Sequence, residues 1–240
     1  MKKLSYLFCF ILLSVMSMGS FAQSSGLSVK RFEDVSSVKQ YARSEGQEQM
    51  LNFTLVKSTP KSTTPSSENH ECVDLGLSVK WATCNVGANK PEDYGDYFAW
   101  GETKPKKSYS SSNYSYTSNP TTLPLSADAA RANWGGSWRM PTKAEQDELR
   151  NNCTRTWTTQ KGVNGYMVTS KKNGKSIFLP AAGYRGGSSL SFAGSHGFYW
   201  SSSLNTGITR YAYYLDFFSS YVGWDYYGRY IGRSVRPVCP

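Results

Sequence analysis

Gly165-Tyr166-Met167-Val168-Thr169 and Lys175-Ser176-Ile177-Phe178-Leu179 flank Asn173-Gly174 and mark an antiparallel hairpin at the centre of the chain's strand-rich half. Both flanks follow a period of two. Asn-Gly suits the tight reversal that joins two antiparallel strands. Just upstream the pattern is helical. Thr142-Lys143-Ala144-Glu145 is a capping box, in which hydroxyl and carboxylate each satisfy a backbone donor, and the helix it opens runs to about Asn152. A shorter helix is expected over Ser126–Trp134, capped by Ser126 and stopped by Gly135-Gly136. Further strands are expected at Val73–Ala82, Phe198–Ser202, Tyr211–Phe217 and Ser234–Val238. Helices early and short strands late specify an α+β domain with two helices and several short, mainly antiparallel strands.

The 240 residues hold 39% hydrophobic, 15% aromatic and only 18% charged residues, a composition that supports a packed core and excludes a coiled coil or a highly charged disordered chain. Lys2 and Lys3 precede an apolar run from Leu4 to about Met18, followed by Gly19-Ser20-Phe21-Ala22. That is the layout of an export leader, expected at 1–22, and its apolar stretch is short for a membrane span. Losing those two lysines lowers the formal charge from +10 to +8. The remaining lysines are scattered as on a solvated face, so nucleic-acid binding ranks last. Residues 23–58 read as a small strand–helix–strand segment. The Ser/Thr/Pro-rich stretch 59–71 reads as a linker, and 72–240 as the main domain. Export places the protein in the periplasm, at the cell surface or outside the cell. Cys9 leaves with the leader, and the remaining four cysteines (Cys72, Cys84, Cys153 and Cys239) favour two disulfides in any of three connectivities.

Several separated motifs carry a family resemblance. They are Cys72-Val73-Asp74-Leu75-Gly76-Leu77-Ser78-Val79-Lys80-Trp81-Ala82-Thr83-Cys84-Asn85-Val86-Gly87, Tyr94-Gly95-Asp96-Tyr97-Phe98-Ala99-Trp100-Gly101-Glu102, Trp138-Arg139-Met140-Pro141-Thr142, Phe178-Leu179-Pro180-Ala181-Ala182-Gly183-Tyr184-Arg185, Tyr199-Trp200-Ser201-Ser202-Ser203 and Ser234-Val235-Arg236-Pro237-Val238. Together they resemble the Fibrobacter succinogenes major paralogous domain of secreted Bacteroidetes-type proteins. The resemblance implies a C-type-lectin-like fold near the formylglycine-generating-enzyme-like branch, and an extracellular setting, but no established activity. Cys72 stands where that family is expected to have Tyr. In that fold the first and last strands pair antiparallel, which implies the disulfides Cys72–Cys239 and Cys84–Cys153.

The site chemistry narrows the function. Between Gln160 and Pro240 the only acids are Asp216 and Asp225, too few for a calcium-bridged sugar site. No cysteine lies between Cys153 and Cys239, so the cysteine pair of the formylglycine-generating relatives is missing. No metal, cofactor or catalytic residue is expected. The last 60 residues, in contrast, hold 15 of the 35 aromatic residues together with ten Ser, nine Gly and five Arg, and no Lys or Glu follows Lys175. This is the vocabulary of recognition surfaces, because rigid amphipathic rings give contact area at little entropic cost. Trp200 and alternate positions of 211–217 are expected in the core. Tyr221–Tyr230, broken by Gly223 and Gly228, is expected to be a loop with exposed rings. The region also resembles the segments that diversity-generating retroelements rewrite on this fold. The expected binding residues are His196, Phe198, Tyr221, Trp224, Tyr226, Tyr227 and Tyr230. The expected function is a non-catalytic, secreted or cell-surface module that recognises a glycan or protein. A formylglycine-generating-like enzyme and a structural component of a surface assembly are the alternatives.

Overall fold

In the computed structural model, which describes residues 70–240, the run 73–82 is not one strand. Gly76 takes a φ of 69°, the left-handed region that glycine enters without a steric penalty, and its N–H donates to the Asp74 carboxylate at 2.7 Å. The chain therefore turns back on itself, giving β1 (Cys72–Val73) and β2 (Lys80–Ala82), paired antiparallel. The last strand, β11 (Val238–Cys239), pairs with the other side of β2. The first and last strands thus flank a shared neighbour instead of pairing with each other. The expected strand Ser234–Val238 shrinks to β11 because the chain before it makes only isolated bridges and contains Pro237, which has no N–H to give a ladder. The expected leader, the segment 23–58 and the linker up to residue 69 lie outside the described residues.

The helices are α1 (Ala129–Trp134) and α2 (Lys143–Asn152). Ser126 does not cap α1. It sits in a 3-10 turn, Leu125–Ala127, and Asp128 is the cap. One Asp128 oxygen accepts from the Arg131 N–H at 3.0 Å and the other from the Met140 N–H at 2.8 Å, so this carboxylate also ties the helix to the next segment. At α2 the capping box forms as expected. The Thr142 hydroxyl accepts from the Glu145 N–H at 3.2 Å, and Glu145 accepts from the Thr142 N–H at 2.8 Å. Glu145 also pairs with Arg139 at 2.6 Å. Thr142→Ala should cost about 1 kcal/mol, read as a melting temperature lower by roughly 2–4 °C. An unchanged melt would show that Glu145 and Arg139 alone hold this helix start.

Helix α2 runs directly into a three-stranded antiparallel sheet of β3 (Cys153–Gln160), β4 (Val163–Ser170) and β5 (Ser176–Pro180). The hairpin between β4 and β5 is present, but Asn173 works through its side chain. Its carbonyl accepts from the Lys175 N–H at 3.1 Å, its amide donates to the Asp74 carbonyl at 2.9 Å, and only Gly174 takes a positive φ. A short hairpin follows, β6 (Tyr184–Gly186) with β7 (Ser189–Ser191). A further three-stranded sheet contains β8 (His196–Leu204), β9 (Tyr211–Phe218) and β10 (Tyr221–Gly228), in the order β8-β9-β10, all antiparallel.

Strand alternation sends consecutive residues of β8 and β9 into two different cores. Phe198, Trp200, Ala212 and Tyr214 join Phe98, Trp100, Trp134 and Met140 in one cluster. Tyr199, Leu215 and Phe217 join Trp81, Leu149, Tyr166, Val168 and Ile177 in the other. Gly197 lies where a Cβ would meet the Phe217 ring at 2.1 Å, so only glycine lets that ring cross the strand. Buried phenols reinforce the packing. Tyr199 donates to the Pro180 carbonyl at 2.7 Å, and burial pushes its pKa from 10.0 up to about 12. Tyr114 is likewise raised to about 12, chiefly by burial. A phenol that ionises later in the folded state than in the unfolded chain stabilises fully below pH 10 and less as pH rises toward 12. We expect the melting temperature to fall across that window together with phenolate absorbance. Phenolate appearing without loss of fold would contradict the burial.

All four cysteines among the described residues are free thiols, so neither expected disulfide is formed. Although β2 separates their strands, Cys72 and Cys239 interact through their side chains. The Cys239 thiol is pushed up to about 11, first by burial and then by Cys72. Cys84 has the Thr83 hydroxyl at 3.6 Å, whereas Cys153 packs in the cluster of Leu149 and Val168. On exposure to oxidised glutathione, non-reducing peptide mapping should link Cys72 with Cys239 first. Both thiols alkylating freely after that treatment would contradict their proximity.

A candidate binding face on an edge strand

Tyr221–Gly228 is a regular strand, not a loop. β10 pairs residue by residue with β9, from Tyr221 opposite Phe218 to Gly228 opposite Tyr211. Aromatic and β-branched residues favour a pleated ladder, and this outweighs the interruptions by Gly223 and Gly228. The glycines are where rings lie across the backbone: a Cβ at Gly223 would stand 2.1 Å from the Tyr221 hydroxyl, and one at Gly228 2.6 Å from the Tyr230 ring. β10 is the outermost strand of its sheet, so its side chains are covered on one flank only.

The alternation divides the expected binding residues. Tyr221, Asp225 and Tyr227 share a face of the sheet with His196, Phe198, Tyr214 and Asp216, as the register dictates. Trp224 and Tyr226 point to the opposite face, with Tyr213 and Leu215. Tyr221, Trp224, Tyr226 and Tyr227 are 36–49% exposed, an unusual share for rings in strand positions. On the Trp224 face, the Lys143 ammonium sits 3.5 Å from the Trp224 ring centroid while its nitrogen contacts Asp147 at 3.0 Å. Tyr213 meets Trp224 and Tyr226 edge-on at 5.4 and 5.8 Å, and Tyr211 stacks on both Tyr226 and Tyr227 at 5.9 Å. These contacts hold the rings in place without covering them.

Three of the expected residues, Phe198, Tyr230 and His196, are not fully on the exposed surface. Phe198 is buried in the cluster of Trp200 and Tyr214 because it is in strand register with them. Tyr230 is partly buried against the same cluster. His196 lies at the start of β8, where its ring stacks parallel to Phe198 at 5.8 Å and approaches Phe218 and Phe192 at 5.0 and 4.9 Å. Its Nδ1 is 3.0 Å from the Ser195 hydroxyl, and Asp216 lies within electrostatic reach. The composition of the segment did not point to Tyr184, Phe192, Tyr211, Tyr213, Asp216, Arg233 and Lys143 as companions of this surface. A period-two reading of 221–228 against 211–218 would have found Tyr211 and Tyr213. Lys143 and Arg233 arrive through tertiary packing. Among the described residues no group of three or more His, Cys, Asp or Glu side chains is placed to hold a metal ion. No described helix is long and apolar enough to cross a membrane.

Residues 163–238, the stretch from β4 to the start of β11, match the model of a family described as a domain of unknown function, DUF8237. No curated protein and no solved structure matches the chain.

Proposed function

We propose that the protein is a non-catalytic, exported binding module of C-type-lectin-like fold, akin to the Fibrobacter succinogenes major paralogous domain, and that β10 with its flanking rings recognises a glycan or a protein. One observation carries this reading: four large aromatic side chains stand exposed on one edge strand, two on each of its faces, outside both hydrophobic clusters. Exposed rings contribute nothing to the core, and grouped on a surface they favour association. Tyr and Trp present a flat apolar face and a hydrogen-bonding tip, which suits both sugar rings and protein surfaces. The Lys143 ammonium over Trp224 holds that ring in a defined orientation before any ligand arrives, lowering the ordering cost of binding.

The test is a glycan array and a protein array probed with the chain and with Trp224→Ala and Tyr227→Ala. Each substitution should weaken binding by about 1–3 kcal/mol and move the melting temperature by no more than a few degrees. Wild-type binding that both substitutions leave intact would place recognition elsewhere on the molecule. Early unfolding of both variants would make these rings part of the core.

A further inference from the structure

Strand β10 ends its sheet, and the turn before it decides which of its backbone groups are left over. Ser219 and Ser220 join β9 to β10, so Phe218 and Tyr221 close the hairpin as opposite residues. Along an antiparallel ladder, residues alternate between exchanging both backbone hydrogen bonds with the neighbour and turning both groups away from it. Tyr221, Gly223, Asp225 and Tyr227 therefore engage β9, whereas Val222, Trp224 and Tyr226 turn N–H and C=O outward. The hydrogen bonds agree: the Tyr226 N–H donates to Oδ1 of Asp225 at 2.7 Å, and the Gly228 carbonyl accepts from the Ile231 N–H. Among the described residues no strand or bridge pairs with this edge. Edges are usually defended by lysines, prolines, bulges or sheer shortness. β1 and β11 have two residues each, β8 has a register shift between Trp200 and Leu204, β5 ends in Pro180, and β3 carries Arg155. β10 has eight residues in unbroken register, with no proline and no basic residue.

A second copy of the same strand fits this edge, and one register fits best. A two-fold axis perpendicular to the sheet pairs the strands antiparallel and keeps every side chain on its own face. With Trp224 on the axis, Trp224 faces itself, Val222 faces Tyr226 of the second copy, and Tyr221 faces Tyr227. All the outward backbone groups of Val222, Trp224 and Tyr226 are then used, and aromatic residues meet across the strands, which favours pairing. Asp225, the only charged residue of β10, falls opposite Gly223, which has no side chain. Placing Asp225 on the axis instead would set two carboxylates against each other, which is unfavourable. Placing Gly223 there would leave Tyr226 opposite Ser220, in the turn. The area sets the strength. Tyr221, Trp224, Tyr226 and Tyr227 are 36–49% exposed, and rings of this kind bury roughly 150–250 Å² apiece, which leaves about 300 Å² of ring surface per copy. Both copies together supply about half of the roughly 1,200–2,000 Å² of a stable interface. That suits a reversible pair formed at high local concentration, not an obligate dimer.

We propose that β10 pairs antiparallel with β10 of a second copy about a two-fold axis at Trp224, joining the two three-stranded sheets into one, with Asp225 as a latch that holds the Tyr226 N–H until the second strand arrives. This inference goes beyond the recognition reading and is measured without any ligand. In sedimentation equilibrium the full chain should pass reversibly from monomer to dimer as its concentration rises from about 1 μM to about 1 mM. Trp224→Pro should weaken that association by about tenfold or more, because it removes donors from the pair. The same N–H points away from β9, so an edge-strand proline spares the monomer's own ladder. Trp224→Ala keeps the N–H and should weaken association less. Should Trp224→Pro melt far below the wild type, Trp224→Lys takes its place: it sets two ammonium groups on the axis and carries the same expectation. Asp225→Ala frees the Tyr226 N–H and should tighten the dimer by about fivefold. A chain that stays monomeric up to about 1 mM overturns the proposal; slow hydrogen exchange at Val222 and Trp224 in that monomer would show another segment of the chain on the edge. A dimer indifferent to Trp224→Pro and Trp224→Lys also overturns it, by placing the interface elsewhere. A dimer weakened by Asp225→Ala overturns the assigned register. None of these outcomes bears on the recognition reading, whose array test uses dilute monomer.

Discussion

Arg229→Ala should lower the melting temperature by roughly 8–16 °C, from a loss of about 4 kcal/mol at 2–4 °C for each. The guanidinium is nearly buried, with its centre 4.8 Å from the Trp100 ring centroid, and it makes five hydrogen bonds. Three go to the carbonyls of Thr209, Tyr116 and Ser118, on segments with no regular secondary structure to satisfy them. Truncation leaves those acceptors unmet at about 1–3 kcal/mol each where water cannot reach. Partial hydration of the vacated space recovers some of this, so the lower part of the summed range applies. The stretch 114–122 should loosen with the melt and become sensitive to protease in the native state. A melting temperature within about 3 °C of wild type would show that water replaces the side chain at little cost.

Trp200→Ala is expected to be about as damaging, at roughly 3–5 kcal/mol. The ring is fully buried between Phe98, Tyr214 and the Arg233 guanidinium, and its Nε1 donates to the Phe98 carbonyl at 2.8 Å. Removing it opens a cavity and takes away one of the two hydrogen bonds that the Phe98 carbonyl accepts, the other coming from the Arg233 N–H at 3.0 Å. The informative comparison is Trp224→Ala, the same chemical change two strands away, where the melt should hardly move. Equal losses at the two positions would mean that the edge strand belongs to the core. Equal indifference would mean that Trp200 is not the keystone of its cluster.

Much of this architecture was legible in the residues, for reasons that can be named. The α2 start was readable because a capping box is a local exchange of hydrogen bonds between Thr142 and Glu145. The β4–β5 hairpin was readable because both strands keep a period of two and Asn173-Gly174 interrupts them. The strand 73–82 was misjudged because Gly76 looks innocuous inside an alternating run, and its positive φ is visible only once the Asp74 carboxylate closes the turn. The α1 cap moved from Ser126 to Asp128 because the second Asp128 oxygen holds Met140, a partner twelve residues away. The Tyr221–Tyr230 segment was the instructive error. Its wealth of rings was rightly noticed, but two glycines were taken for loop markers when each makes room for a tyrosine lying over the backbone. That mistake put Trp224 and Tyr227 on one surface, whereas the pleat turns them to opposite sides. That Arg233 and Asp216 keep buried side-chain atoms without a hydrogen-bond partner could not be foreseen, since both depend on which rings the finished sheet brings around them.

The single-sided attachment of β10 also bears on how freely its sequence can change. Within Tyr221–Gly228 only Gly223 and Gly228 are buried, Val222 is partly buried against the cluster of Leu215 and Phe217, and the other five positions are exposed. Backbone hydrogen bonds to β9 do not depend on which side chains those positions carry. A combinatorial library randomised at Tyr221, Trp224, Tyr226 and Tyr227, with both glycines held, should therefore yield mostly folded clones. The strand behaves as a rewritable label fastened to a frame that does not read it.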